Sequence, residues 1–128
     1  MATSPTTAPL SISQAAEATG LSAHTLRYYE RAGLMLDRVG RASSSHRRYT
    51  EDDLRWIDFV TKLRSTGMPI RTVRAYTDLV RAGEGNEAQR LALLEAHRET
   101  VAQQLESVRR NLAAIDFKID LYRERSTT

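Results

Sequence analysis

The side chains able to do chemistry in this 128-residue chain are cationic and aromatic rather than nucleophilic. The three histidines, His24, His46 and His97, stand singly, with no His-x-x-x-His pair and no glycine-rich phosphate loop around them. Cysteine is absent, which excludes disulfides, thiolate metal sites, iron-sulfur clusters and thiol redox switches. The adjacent acids Asp52 and Asp53 follow Thr50 at a predicted helix start, where capping and the helix dipole account for them. No catalytic set, metal site or cofactor is therefore expected. What remains is positive charge in one place: positions 20–76 hold eleven Lys or Arg against six Asp or Glu, whereas the chain as a whole is only +3. Within that stretch Arg41, His46, Arg47 and Arg48 fall in a Gly- and Ser-rich run suited to neutralising a phosphate backbone. The bland alternative for such an excess is a solvated basic face.

Two short helices are predicted ahead of that run. Ile12, Ala15, Ala16 and Leu21 have the spacing of a helix with one inward face, with Ser13 as N-cap and Gly20 as stop. Ser22 is placed to cap a second helix over 23–31, halted at Gly33. A pair of helices joined by a tight Gly-containing turn is a helix-turn-helix candidate. If the second helix enters a major groove, Ala23, His24 and Thr25 near its start meet base edges, while Leu26 and one of the neighbours Tyr28 and Tyr29 turn to the core. Ser11 and Ser13 lie at the amide-rich start of the first helix, where they hold a phosphate or serve simply as caps.

Positions 34–49 have no helical period and read as a hairpin wing, with extended pieces at 34–36 and 47–49. Thr50-Glu51-Asp52-Asp53 then opens a third helix carrying Leu54, Ile57, Phe59, Val60 and Leu63 and ending at Gly67. Pro69 suits the start of a fourth, whose stripe includes Ile70, Val73, Tyr76 and Thr77 before Gly83 and Gly85 break it. From Asn86, read as an N-cap, the chain runs to about Arg125 without Gly or Pro, which predicts one long helix. Its apolar positions Val101, Leu105, Val108, Leu112, Ile115, Ile119 and Tyr122 alternate in steps of 4 and 3, the a/d spacing of a coiled coil, and the pattern continues backwards through Arg98 to Leu94 and Leu91. Arg98 is either a register-setting polar residue or the place where packing changes partner. A helix about 55 Å long has a stripe that its own small domain cannot cover, so a homodimer is the expected way to bury it.

The expected fold class is all-α with a small β-hairpin wing: a winged helix-turn-helix followed by a long dimerisation coiled-coil helix. The expected organisation is a flexible tail at 1–9, a DNA-binding domain at 10–84 and the dimerisation helix at 86–125. No apolar run approaches the roughly 20 residues of a membrane span and no signal-peptide pattern is present, which makes a cytoplasmic protein the expectation. Only three residues follow the helix at 86–125, so no separate effector domain is expected.

Three motifs stand in order: Leu26-Arg27-Tyr28-Tyr29-Glu30 with Gly33-Leu34, then His46-Arg47-Arg48-Tyr49-Thr50-Glu51-Asp52-Asp53-Leu54, then the final heptad helix. Together they resemble the MerR family of transcription regulators, over nearly the whole stretch 10–123. His46 departs from the Tyr that many members carry. Gly67-Met68-Pro69-Ile70, Tyr76, Leu93-Leu94-Glu95 and His97 are similar to the branch linked to aldehyde or electrophile stress, but the cysteine chemistry of its electrophile sensors cannot carry over. The resemblance implies phosphate or groove contacts from Arg27 and Tyr28, and phosphate contacts from Arg71 and Arg74 as a second wing element. It further implies an antiparallel homodimer on a pseudo-palindromic promoter, distortion of the spacer DNA, and realigned contacts for RNA polymerase. Such a chain is ligand-independent or binds a small apolar effector near Tyr76, Leu94 and His97. The alternative weighed beside it is an architectural or excision-type DNA-binding protein; a coiled-coil module with a vestigial helix-turn-helix is disfavoured by the intact Arg27, Arg47 and Arg48.

Overall fold

The computed structural model describes residues 8–36, 40–41 and 47–127. His46 and all but the end of the tail at 1–9 lie outside them, and of Arg41 and Arg47 only the backbone is described. The described residues form five helices, α1 (Ile12–Thr19), α2 (Ala23–Arg31), α3 (Glu51–Ser65), α4 (Ile70–Arg81) and α5 (Glu87–Ser126), with a two-stranded ribbon, β1 (Gly40–Arg41) and β2 (Arg47–Arg48), between α2 and α3. This is the expected helical protein with a small wing. The chain divides into two compact units, Met1–Arg90 and Leu91–Thr128.

In the first unit α1 packs against α2 and α3, and α3 against α4. Ala15, Leu26, Tyr29, Leu34, Met35, Tyr49, Ile57, Val60, Leu63, Met68 and Val73 form its core. Ala15 is fully buried, and its small side chain suits the crossing of short helices. Thr77 is also buried and returns its hydroxyl to the Val73 carbonyl at 2.8 Å, so it adds no unpaired polar group to the core. On the flank of this core Trp56, Phe59 and Tyr76 form an aromatic cluster. Trp56 and Tyr76 stack at 5.9 Å between centroids, and Phe59 tilts against both rings.

Helix ends follow the local sequence, with two corrections. Ser13 is not the cap of α1 but its second residue; Ser11 is the cap, because Gln14 three positions on returns a bond to the Ser11 N–H while donating its own N–H to Ser11 Oγ. Ser13 is followed at that spacing by Ala16, which has no group to return. Asn86 precedes α5, but its side chain does not cap it. The amide donates to the Leu79 carbonyl at 2.8 Å and its oxygen accepts from Arg90 Nε at 2.6 Å, which ties the last turn of α4 to the first turn of α5. The Gly85 N–H donates instead to the Glu87 carboxylate at 3.0 Å. At α3 the expected box is present: Thr50 and Asp53 exchange bonds, and Glu51, Asp52 and Asp53 face the positive end of the helix.

The wing differs from its expected outline. The piece 34–36 is not a strand; β1 lies further on at Gly40–Arg41 and pairs antiparallel with β2 in the register Gly40↔Arg48 and Arg41↔Arg47. The carbonyls of 33–36 are held instead by side chains of α3 and α4. Tyr49 forms a separate bridge with Leu10, exchanging bonds of 2.7 and 2.8 Å, which clamps the start of the chain to the foot of the wing.

The second unit holds no other element than α5, which it contains from Leu91 onward. None of its residues is buried, and Leu91, Leu105, Val108, Leu112, Ile115, Ile119 and Tyr122 are all largely exposed. Phe117, which lies outside the heptad seam, is at 68% the most exposed of the large apolar residues among those described. No described helix is long and apolar enough to cross a membrane.

Candidate nucleic-acid interface

Helix α2 presents one face outward for a simple geometric reason. Successive residues turn by about 100°, so His24, Arg27, Tyr28 and Arg31 fall within a single arc of roughly 100° while Leu26 and Tyr29 fall opposite it. The structure places them so: His24, Arg27, Tyr28 and Arg31 are exposed, Leu26 and Tyr29 are buried. The Tyr29 hydroxyl meets Thr61 Oγ1 on α3 at 3.4 Å, which fixes the rotation of α2 about its own axis. Ala23 is half-buried at the first position of the helix, and Thr25 is half-buried with its hydroxyl 3.0 Å from that of Ser22, the N-cap. Of the three residues expected at base edges, His24 therefore projects furthest into solvent. Arg31 is an addition to the residues expected from the sequence, and its position seven residues after His24 is the signal that points to it.

At its far end α2 closes in a Schellman turn. Gly33 has φ of +76°, and its N–H and that of Leu34 return to the Glu30 and Tyr29 carbonyls at 3.2 and 3.0 Å. Only glycine adopts this backbone without strain, and a methyl group built on Gly33 would also lie 3.3 Å from Arg74 Nε. That proximity sets Arg74, in α4, beside the end of α2. Arg71 and Arg74 are both exposed. On the ribbon Arg48 is exposed, and the register aligns Arg41 with Arg47.

The helix starts differ in charge. The first turn of α3 carries three acids, whereas those of α1, α2 and α4 carry none, and α4 has no side-chain cap at all. Arg71 stands in that uncapped first turn, a position where the helix dipole disfavours a cation and an external anion would offset both. Tyr76, expected at an effector junction with Leu94 and His97, is in the aromatic cluster with Trp56 and Phe59; Leu94 and His97 are half-buried residues of the second unit.

A helix-turn-helix followed by an antiparallel ribbon is a winged helix-turn-helix, a DNA-binding class of domain. The MerR HTH family regulatory protein description matches residues 10–79, and the MerR DNA-binding description matches residues 54–116. The chain belongs to the MerR family of DNA-binding transcription regulators. It is 33% identical over 111 residues to an uncharacterized HTH-type transcriptional regulator of Haemophilus influenzae, covering 87% of this chain and 82% of that one. Among solved structures it resembles a putative MerR family regulator from Listeria monocytogenes (38% identity, TM-score 0.83, 88% of this chain and 85% of that one). It also resembles HiNmlR, a MerR family regulator lacking the sensor domain, solved bound to promoter DNA (31% identity, TM-score 0.83, 94% of each chain).

Proposed function

We propose that this protein regulates transcription by binding a pseudo-palindromic promoter as a homodimer, in the cytoplasm, and distorting the spacer so that RNA polymerase meets realigned promoter elements. The observation that carries this reading is the outward arc of His24, Arg27, Tyr28 and Arg31 on α2, held in place by Tyr29 from behind, together with exposed Arg48 on the wing and exposed Arg71 and Arg74 on α4. In this arrangement Ala23, His24 and Thr25 meet base edges, and Arg27 and Tyr28 reach the groove wall and its phosphates. Arg41, His46, Arg47 and Arg48 form a phosphate clamp on the wing. Arg71 and Arg74 supply a second clamp at the uncapped start of α4, and Ser13 a further contact at the start of α1.

The likeness to HiNmlR, seen on promoter DNA, supports the whole arrangement rather than any one residue. Family membership favours transcription over the architectural or excision role. The energetic logic is indirect readout: interactions at the two ends supply the free energy that deforms central base pairs which no side chain touches. A small apolar effector is a separate element of the proposal, and a ligand screen by thermal shift tests it; no shift with any aldehyde, quinone or hydrophobic drug removes it.

The decisive experiment is a titration against DNA from the protein's own upstream promoter over a range of salt, beside the Arg47→Ala/Arg48→Ala variant. Neutralising one phosphate fewer lowers the slope of log affinity against log salt by about 0.9. The expected outcome is tight, salt-sensitive binding and a slope reduced by about 3.6 in the variant, two phosphate contacts being lost from each protomer of the dimer. Equal affinity for promoter and random DNA, with no site recovered in a genome-wide selection, would remove the reading.

A further inference from the structure

Between the end of α2 and the start of the wing, four successive carbonyls are each taken by a side chain from elsewhere in the fold. The Leu34 carbonyl accepts from Trp56 Nε1 on α3 at 2.6 Å. The other three accept from one guanidinium: Arg81, the last residue of α4, donates to the Leu36 carbonyl from Nε at 2.9 Å, to the Gly33 carbonyl from Nη2 at 3.2 Å, and to the Met35 carbonyl from the same nitrogen. Its third nitrogen, Nη1, donates to Asp78 one turn earlier at 3.1 Å, which leaves the planar fork one orientation. This is why 34–36 is not a strand, since its acceptors are already used.

This arrangement does more than satisfy polar groups. The side chain of Arg81 is 37% exposed, so water could serve most of these carbonyls if Arg81 were absent. What water cannot do is hold three peptides to a single rigid group, as the Arg81 fork does. The carbonyls held in this way belong to residues 33–36, which directly follow α2 and precede the wing in the chain. The residue that holds three of them also ends α4, whose last turn is tied by Asn86 and Arg90 to the first turn of α5.

We propose that Arg81 is a positioning residue for DNA binding: it orients the α2-to-wing link so that the wing cations and the outward face of α2 engage one stretch of DNA together. It touches no DNA itself. This inference rests on the reading of the wing as a phosphate clamp, and its test separates the two. Promoter affinity and its salt slope are measured for the native protein, Arg81→Ala, Arg81→Lys, Arg47→Ala/Arg48→Ala and the triple variant that adds Arg81→Ala. Helical content and melting temperature are recorded for each.

The expected result is that Arg81→Ala weakens binding at least tenfold and lowers the salt slope as the wing variant does. Added to the wing variant, it should change affinity far less than it does in the native protein, because Arg47 and Arg48 are already gone and only Arg41 and His46 are left on the wing for it to position. Arg81→Lys keeps the charge and the helix propensity but has no fork to span three carbonyls, so it should fold and still show the reduced slope. A role confined to stability predicts losses that multiply in the triple variant and an unchanged slope in either Arg81 variant; either finding overturns the inference. A wing variant that keeps the full native slope removes the phosphate reading first, and this inference with it.

Discussion

Tyr28 and Tyr29 are adjacent and chemically identical, yet the fold gives them opposite tasks. Tyr29 is 6% exposed, against Thr61, and Tyr28 is 40% exposed on the outward arc of α2. Truncating a buried aromatic ring typically costs about 3–5 kcal/mol. Tyr29→Ala is therefore expected to lower the unfolding free energy by about 3 kcal/mol in a denaturant titration and to lose DNA binding because the helix is no longer held. Tyr28→Ala is expected to cost about 1 kcal/mol of stability or less while weakening promoter binding, since its exposed ring meets the core only through a tilted contact with Tyr29, 6.5 Å between centroids. Equal destabilisation by the two variants would contradict this rotation of α2. The 100° step between neighbours requires one of the two tyrosines to face inward, but which one depends on Thr61 and the rest of α3, more than thirty residues away. Arg81 is less legible still. Its partners are main-chain carbonyls 45 to 48 residues earlier, and a carbonyl leaves no trace in the residue type. Ser11 is readable from Gln14 by the same box that identifies Thr50, and Ser13 competes with it only because it stands closer to the apolar run.

At the scale of elements, helices are legible because their signals are local: periodic apolar residues, a capping side chain and a glycine beyond the end. The wing is poorly legible because a ribbon of two residues per strand carries no periodicity, and because what excludes 34–36 from it is a side chain in α4. The α4 to α5 elbow shows a local signal put to a different use. Asn86 has the residue type of a cap, but its amide bridges two helices, and Glu87 takes the capping role for Gly85. The Glu87 carboxyl is held below its ordinary pKa by its own N–H and then that of Gly85, with a smaller contribution from Arg90. A carboxylate whose folded pKa is depressed contributes stability that is present above its unfolded value and lost as pH falls through the folded one. Acidification below the ordinary carboxylate range is thus expected to loosen the first turn of α5, seen as faster amide exchange at Gly85 and the residues after it. Glu87→Gln should abolish that pH dependence; exchange that accelerates identically in the variant would assign the effect to other groups.

For the whole molecule, the question is what becomes of α5. The heptads predict a seam, and the structure leaves that seam exposed over Leu105, Val108, Leu112, Ile115, Ile119 and Tyr122, in a unit that has no other element to cover it. Burying a wholly exposed side chain of this kind is worth about 1.5–3 kcal/mol, and these six are 40–61% exposed, so the proposed pairing with a second copy of the same helix would gain about half of that at each position. The proposed dimerisation would also have a consequence for DNA. Two linked binding domains on two half-sites convert the second encounter into an intramolecular one, which commonly raises affinity by about 10²–10⁴ without any new interaction with DNA. Leu105→Glu/Leu112→Glu places acids in the middle of the seam, far in sequence from every residue of the first unit. The variant is expected to sediment as a monomer at micromolar concentration and to lose about a hundredfold or more in affinity for DNA carrying both half-sites. Its affinity for a single half-site should change no more than about threefold, because α2 and the wing are untouched. A variant that remains dimeric would place the interface elsewhere on the chain, and a monomer that bound the full site as tightly as the native protein would mean that each domain reads its DNA independently.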